Sequence, residues 1–166
     1  MPTKSTRTTA RSRKPGVRIA VQRVTRARGV PSARRLRAWA RAACPPRAEL
    51  TLRVVGLGEA QALNRVYRRR AYPANVLSFR YERRDALHGD IVLCHPVALR
   101  EARAQGKTTT AHYAHLVVHG VLHLRGFDHA RRAAATRMEA AERRILRGLG
   151  VADPYVLPAR TARRAR

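Results

Sequence analysis

The chain has 166 residues, 45% of them hydrophobic, which suits one domain able to bury a core without staples and excludes a wholly disordered protein. Its 36 basic and 10 acidic residues give a formal net charge of +26, so a polyanionic partner is expected, nucleic acid before anionic membrane, with a coding bias toward Arg and Ala as the bland source of the same charge. Cys44 and Cys94 are too isolated for a disulfide framework or a thiolate zinc site, and neither a membrane span nor a signal peptide is evident, so a cytoplasmic protein is expected.

Residues 1–16 carry Lys4, Arg7, Arg11, Arg13 and Lys14 with almost nothing to bury, which predicts a disordered basic tail. Val17, Ile19 and Val21 alternate with Arg18 and Ala20, the period-two signature of a strand. A helix is predicted from Pro31-Ser32 to about Cys44, capped by Ser32, with Leu36, Trp39, Ala40 and Ala43 on one face, and Pro45-Pro46 stops it. Glu49 to Val55 reads as a second strand. Gly56-Leu57-Gly58 turns it into a helix carrying Ala60, Leu63, Asn64 and Tyr67, followed by the cluster Arg65, Arg68, Arg69 and Arg70.

Tyr72-Pro73-Ala74-Asn75 predicts a turn, and Val76 to Phe79 a third strand running on toward Glu82. The polar stretch Tyr81 to His88 predicts a hairpin-like excursion into a fourth, buried strand over Gly89 to Cys94. Pro96 starts a helix that ends at Gly106. Thr108 to Thr110 cap the next one, which reaches Leu124 and is apolar on nearly all sides from Leu116, as a central buried helix should be. A last amphipathic helix spans Arg131 to Leu149, Asp153-Pro154-Tyr155 turns the chain back, and residues 157–166 form a second basic tail. The single folded domain is thus expected over residues 17–156.

The histidines carry the chemistry. His119 and His123 lie one helical turn apart and therefore share a face. Gly126 can take the left-handed conformation that closes a helix, turning the chain back so that His129 approaches the other two. Three neutral imidazoles leave a tetrahedral zinc ion one open position, the catalytic rather than the structural pattern. The competing stripe of His112, His115, His119 and His123 spreads its rings over roughly 12 Å for three consecutive turns, too far for one ion, so His112 and His115 are expected behind the ligands or against substrate. His88 and His95 are expected to be hydrogen-bonded core or surface residues. Asp128 is a candidate to hold a ligand ring or to accept a proton. The zincin motif places a general-base Glu after its first histidine. Here that position is Gly120, so this is no typical zincin, and the general base stays open.

The run His119-Gly120-Val121-Leu122-His123-Leu124-Arg125-Gly126-Phe127-Asp128-His129 resembles the H-G-x-L-H-L-x-G-F/Y-D-H signature of the YbeY family of bacterial endoribonucleases. Leu63-Asn64 with Tyr67-Arg68, Asn75 to Phe79, Gly89 to Cys94, Gln105-Gly106-Lys107 and Asp153-Pro154-Tyr155 resemble other segments of that family in the same order. The resemblance implies an α+β fold, with a mixed four-stranded sheet around the central helix. It implies one zinc ion on His119, His123 and His129, a functional arginine at Arg68, and action in ribosomal RNA maturation and ribosome quality control. Implied partners are ribosomal RNA and the small ribosomal subunit, with small-subunit ribosomal proteins and the GTPase Era as further candidates, and neither membrane nor DNA. Three positions depart from the pattern: Ala71 and Ala74 stand where an acidic residue and a Thr are frequent, and Arg80 stands where Pro is usual.

Two functions compete on this reading. One is a zinc-dependent endoribonuclease in which Arg68 stabilises charge developing on phosphorus. The other is a non-catalytic ribosome-assembly factor whose zinc braces the fold and whose arginines bind ribosomal RNA. A metalloprotease is disfavoured by Gly120 and by the charge.

Overall fold

The computed structural model describes residues 16–83 and 85–156. Both expected basic tails, save Gly16, lie outside the described residues. The elements follow in the order β1 (Val17–Arg23), α1 (Ala33–Ala43), β2 (Ala48–Val55), α2 (Leu57–Arg68), β3 (Val76–Tyr81), β4 (Leu87–Cys94), α3 (His95–Ala104), α4 (Thr109–Leu124) and α5 (Arg132–Gly148). This is the α+β architecture implied by the resemblance, and the sequence bounds move by only one or two residues. At the strands, β1 runs on to Arg23 and β4 begins at Leu87; at the helices a cap decides the end. Ser32 Oγ accepts from Arg35 N at 3.3 Å and Thr108 Oγ1 accepts from Ala111 N at 3.1 Å, so both hydroxyl caps stand one residue outside their helices.

The strands form one sheet in the order β1-β2-β4-β3, mixed in direction: β1, β2 and β4 run parallel, while β3 pairs antiparallel with β4 across the expected hairpin. Alternation along β4 sends Ile91 and Leu93 to one face and Val92 and Cys94 to the other. The first face takes the main core, built with Leu36 and Trp39 of α1, Val117 and Val121 of α4, and Met138 and Leu146 of α5. The second face is covered by α2 through Ala60 and Leu63, with Leu77 and Phe79. Burial on all sides makes α4 the central helix, with ten of its sixteen residues inaccessible. Of the two cysteines, Cys94 is buried, whereas Cys44 is half-buried at the residue on which α1 ends.

Helix α4 comes unusually near the sheet at Gly120. A Cβ there would stand 2.9 Å from Ile91 Cγ2 and 3.3 Å from Ser78 Oγ, so only glycine fits, and Ser78 Oγ donates to the Gly120 carbonyl at 3.3 Å. The position that holds the general base in zincins therefore faces packed strands here.

Candidate metal centre

The end of α4 closes as the sequence predicts. Gly126 adopts φ +92°, its N–H donates to the His123 carbonyl at 2.9 Å, and Phe127 N donates to the Leu122 carbonyl at 3.0 Å. These are the two bonds of a Schellman motif, and the reversal they impose brings the following loop back over the helix face. His129 thereby meets the helical pair. Its ring centroid lies 4.9 Å from that of His123 and 5.7 Å from that of His119, while His119 and His123 are 4.5 Å apart.

One ring nitrogen from each of His119, His123 and His129 lies within 4.8 Å of the other two, and the Nε2 atoms of His119 and His123 face each other at 3.0 Å. A tetrahedral ion with zinc–nitrogen bonds near 2.05 Å needs nitrogens about 3.3 Å apart, so the set closes on such an ion with little movement. Among the described residues no fourth His, Cys, Asp or Glu joins this group. The ligand chemistry fits as well. Burial, followed by the nearby His119 and His129 rings, pushes the His123 imidazole down to about 4, keeping it neutral with a lone pair to share.

Behind the ligands stands a residue that sequence reasoning missed. Glu142 of α5 is wholly inaccessible, and its Oε1 accepts from His119 Nδ1 at 2.7 Å. His115 Nε2 approaches the same oxygen at 3.4 Å, an electrostatic contact rather than a well-formed hydrogen bond, and the Tyr155 hydroxyl donates to Oε2. Burial alone would raise the carboxyl, but the His115, His119 and Tyr155 contacts outweigh it and draw it down to about 2. A carboxylate on Nδ1 fixes the tautomer and aims Nε2 of His119 at the ion position.

His115, His119 and Glu142 also lie close enough to form a metal-binding group of their own. That group would need His119 Nδ1, already committed to Glu142, and a carboxylate without access to solvent. It is better read as the support of the first group. The expectation that His115 stands behind the ligands agrees with this placement.

Residues 32–150 match the family model described as Endoribonuclease YbeY. The chain belongs to this family. It is 50% identical over 143 residues to the Endoribonuclease YbeY of Thiobacillus denitrificans, covering 85% of this chain and 97% of that protein. It is 53% identical over 117 residues to that of Methylibium petroleiphilum, covering 70% and 78%. The solution structure of TM1509 from Thermotoga maritima superposes with a TM-score of 0.53 at 19% identity over 83% of this chain and 99% of that one, a likeness of fold alone.

Other sequence expectations in this YbeY-family chain fare unevenly. Asp128 turns away from the role of ring holder: its Oδ1 accepts from the backbone N–H groups of His129 and Ala130 at 2.7 and 3.1 Å, and these bonds lower its pKa. It shapes the loop that presents His129, and Glu142 holds the ring instead. His112 lies apart from the ligands, its Nε2 2.9 Å from Glu101 Oε2. His95 is a core residue between the Tyr113 hydroxyl at 2.8 Å and the Arg28 carbonyl at 3.0 Å, and the His88 ring lies tilted against Tyr81 with centroids 5.3 Å apart. Arg68 ends α2, exposed, on the sheet face opposite α4, and among the described residues no hydrogen bond or ion pair ties it to the histidines.

Several of the segments that resemble the family prove to be braces. Asn64 Nδ2 donates to the Tyr72 carbonyl at 2.6 Å and Asn75 Nδ2 to Glu101 Oε2 at 3.0 Å, fixing the middle and the end of the loop before β3. Lys107 Nζ donates to Gln105 Oε1 at 2.8 Å and to the Pro154 carbonyl, tying the turn at residues 153–155 to the loop before α4.

Proposed function

We propose that this chain is a zinc-dependent endoribonuclease that prefers single-stranded RNA and acts in maturing the 3′ end of small-subunit ribosomal RNA and in ribosome quality control, in the cytoplasm. The observation that carries the reading is the three-histidine group, without a fourth protein ligand among the described residues and held from behind by a buried carboxylate, in a chain whose relatives are named endoribonucleases. A structural zinc site is normally closed by four protein ligands, so the open position supports catalysis over the assembly-factor alternative.

His119, His123 and His129 would hold the zinc ion, which supplies a Lewis acid toward water or a phosphate oxygen. Glu142 keeps the Nδ1 proton of His119 on its own side, so the opposite nitrogen stays free to coordinate. Gly120 excludes a base from the first helical position after His119. Arg68 is proposed to reach the phosphodiester from the end of α2, where its exposed guanidinium can form paired hydrogen bonds to phosphate oxygens and stabilise charge in the transition state. The charge of +26 supplies affinity for the RNA backbone. Ribosomal RNA and the small subunit, with its proteins and the GTPase Era, are the proposed partners.

Zinc stoichiometry measured beside cleavage of a ribosomal RNA precursor tests the reading. His119→Ala should lose both the metal and the cleavage. Arg68→Ala should keep one zinc per chain while its kcat/KM falls about 10²-fold. A wild-type chain that binds zinc and ribosomal RNA but cleaves nothing would establish the assembly factor in its place.

A further inference from the structure

The hairpin between β3 and β4, the end of α1 and the end of α4 border a wide-open cavity of about 550 Å³ lined by Arg47, Arg80, Arg83 and Arg125. Pro45, Pro46 and Leu87 give it an apolar wall, and Asp85 is the one carboxylate in its lining. Four guanidinium groups around one cavity repel each other, and that arrangement is relieved by an anion lodged between them.

Their states differ in a telling way. Arg125 is fixed, with Nη1 donating to the Ala43 carbonyl at 2.9 Å and its guanidinium carbon 5.5 Å from the centre of the Phe127 ring. Arg83 is engaged by Glu49 at 3.3 Å in an exposed ion pair, which is weak enough to exchange for phosphate. Arg47 and Arg80 are exposed and, among the described residues, form no side-chain hydrogen bond or ion pair. Arg80 also marks the direction of the cavity. It follows Ser78 by two residues and so shares the sheet face of α4, and its Nη1 lies 3.8 Å from where a Cβ on Gly126 would stand, in the turn that joins His123 to His129.

We infer that this cavity is a phosphate-backbone subsite, which grips the RNA strand beyond the nucleotide held at the metal centre. The inference rests on the endoribonuclease reading and adds to it a site formed by Arg47, Arg80 and Arg125. A strand whose reacting phosphate lies at the three histidines passes the turn at Gly126 and enters the cavity, where planar guanidinium groups pair with successive phosphates.

The test is binding of a labelled single-stranded oligoribonucleotide of twelve residues to the full chain across a salt series, for the wild type, Arg80→Gln, Arg47→Gln and the double variant. Each phosphate contact on a single strand contributes about 0.7 to the slope of log affinity against log salt, so each single variant should flatten the slope by about 0.7 and weaken binding about fivefold at 0.1 M salt. The double variant should flatten it by about 1.4. Zinc content should equal that of the wild type in all three, showing that the fold and the metal centre are intact. Unchanged slopes in variants that keep their zinc, beside a wild type that binds and cleaves RNA, would overturn the subsite and leave the nuclease reading standing. A wild type without affinity for RNA would overturn the nuclease reading itself. Equal displacement of the twelve-residue strand and of a mononucleotide by inorganic phosphate would mark the cavity as a small-anion site and overturn the strand path.

Discussion

Replacing Glu142 by Gln removes a charge from the least accessible carboxylate in the structure while keeping its volume. In the wild type, one oxygen accepts from His119 Nδ1 at 2.7 Å and lies 3.4 Å from His115 Nε2, and the other accepts from the Tyr155 hydroxyl. An amide offers one acceptor oxygen and turns an NH₂ group toward one of those donors, so at least one buried donor loses its partner. The cost in stability without metal should be about 1–3 kcal/mol. The more telling loss is in metal affinity. A carboxylate behind a ligating imidazole is typically worth 10–100-fold in binding, about 1.4–2.7 kcal/mol, because it fixes the tautomer and the ring orientation.

Competition with a chelator of known affinity measures this directly, and thermal unfolding with and without zinc measures it through linkage. At a fixed zinc concentration well above the dissociation constant, the metal-dependent gain in stability should shrink by the same 1.4–2.7 kcal/mol, approximately. Glu142→Ala should lose more metal-free stability, since it adds a cavity, yet show a similar drop in zinc affinity. A Glu142→Gln chain that unfolds earlier without metal but binds zinc as tightly as the wild type would refute the reasoning. The carboxylate would then be only a packing element that happens to touch His119.

Two further changes probe the surroundings of the centre. Gly120→Ala forces a Cβ to 2.9 Å from Ile91 Cγ2, so α4 must lift from the sheet, and thermal unfolding should show a loss of about 1–3 kcal/mol. The Glu101 carboxyl, raised by burial but drawn down more strongly by hydrogen bonds from His112 and Asn75, with Arg100 adding to the effect, lies below its ordinary value of 4.5. A depressed acid contributes stability that is fully present above its ordinary value and lost as pH falls through the folded one. Glu101→Gln should therefore be less stable than the wild type at neutral pH, with the gap closing below pH 4.5. A gap that stays constant to low pH in an acid-unfolding series would show that the ionised form adds nothing.

The cluster of three histidines was legible in the sequence because both rules that place it are local. A spacing of four puts His119 and His123 on one helix face, and Gly126 marks where the helix must end, so the approach of His129 follows from backbone conformation over only a few residues. The four strands and five helices were legible for the same reason, since their signals lie in periodicity and caps. Glu142 was not, because its partners come from α4 and from the turn at residue 155. A trace was present: it follows Met138 and precedes Leu146 by four residues each, on the buried stripe of α5, where an acid has no reason to be unless something there accepts its charge. Arg68 is the opposite case. Its role is suggested by resemblance, while the fold puts it on a helix across the sheet, where no short-range rule carries it to the histidines.

Glu142 also ties short segments far from the histidine run to the candidate metal centre. Lys107 holds the Pro154 carbonyl, and Arg143 of α5 grips Asp153 at 3.1 Å while its guanidinium carbon lies 4.8 Å from the centre of the Tyr155 ring. Tyr155 is thus fixed from two sides, and burial together with the Glu142 carboxylate raises the pKa of its hydroxyl, so it remains a donor. Glu142 passes that constraint to His119. Loops before α4 and after α5, separated by nearly fifty residues, therefore converge on one ring nitrogen. Cutting the chain of contacts at its far end, with Lys107→Met, leaves every ligand in place but frees the turn. If the turn serves the metal, zinc affinity should fall in that variant as it does in Glu142→Gln, by a smaller factor because Arg143 still holds Asp153. If the turn only caps the core, thermal stability should fall and zinc affinity should not.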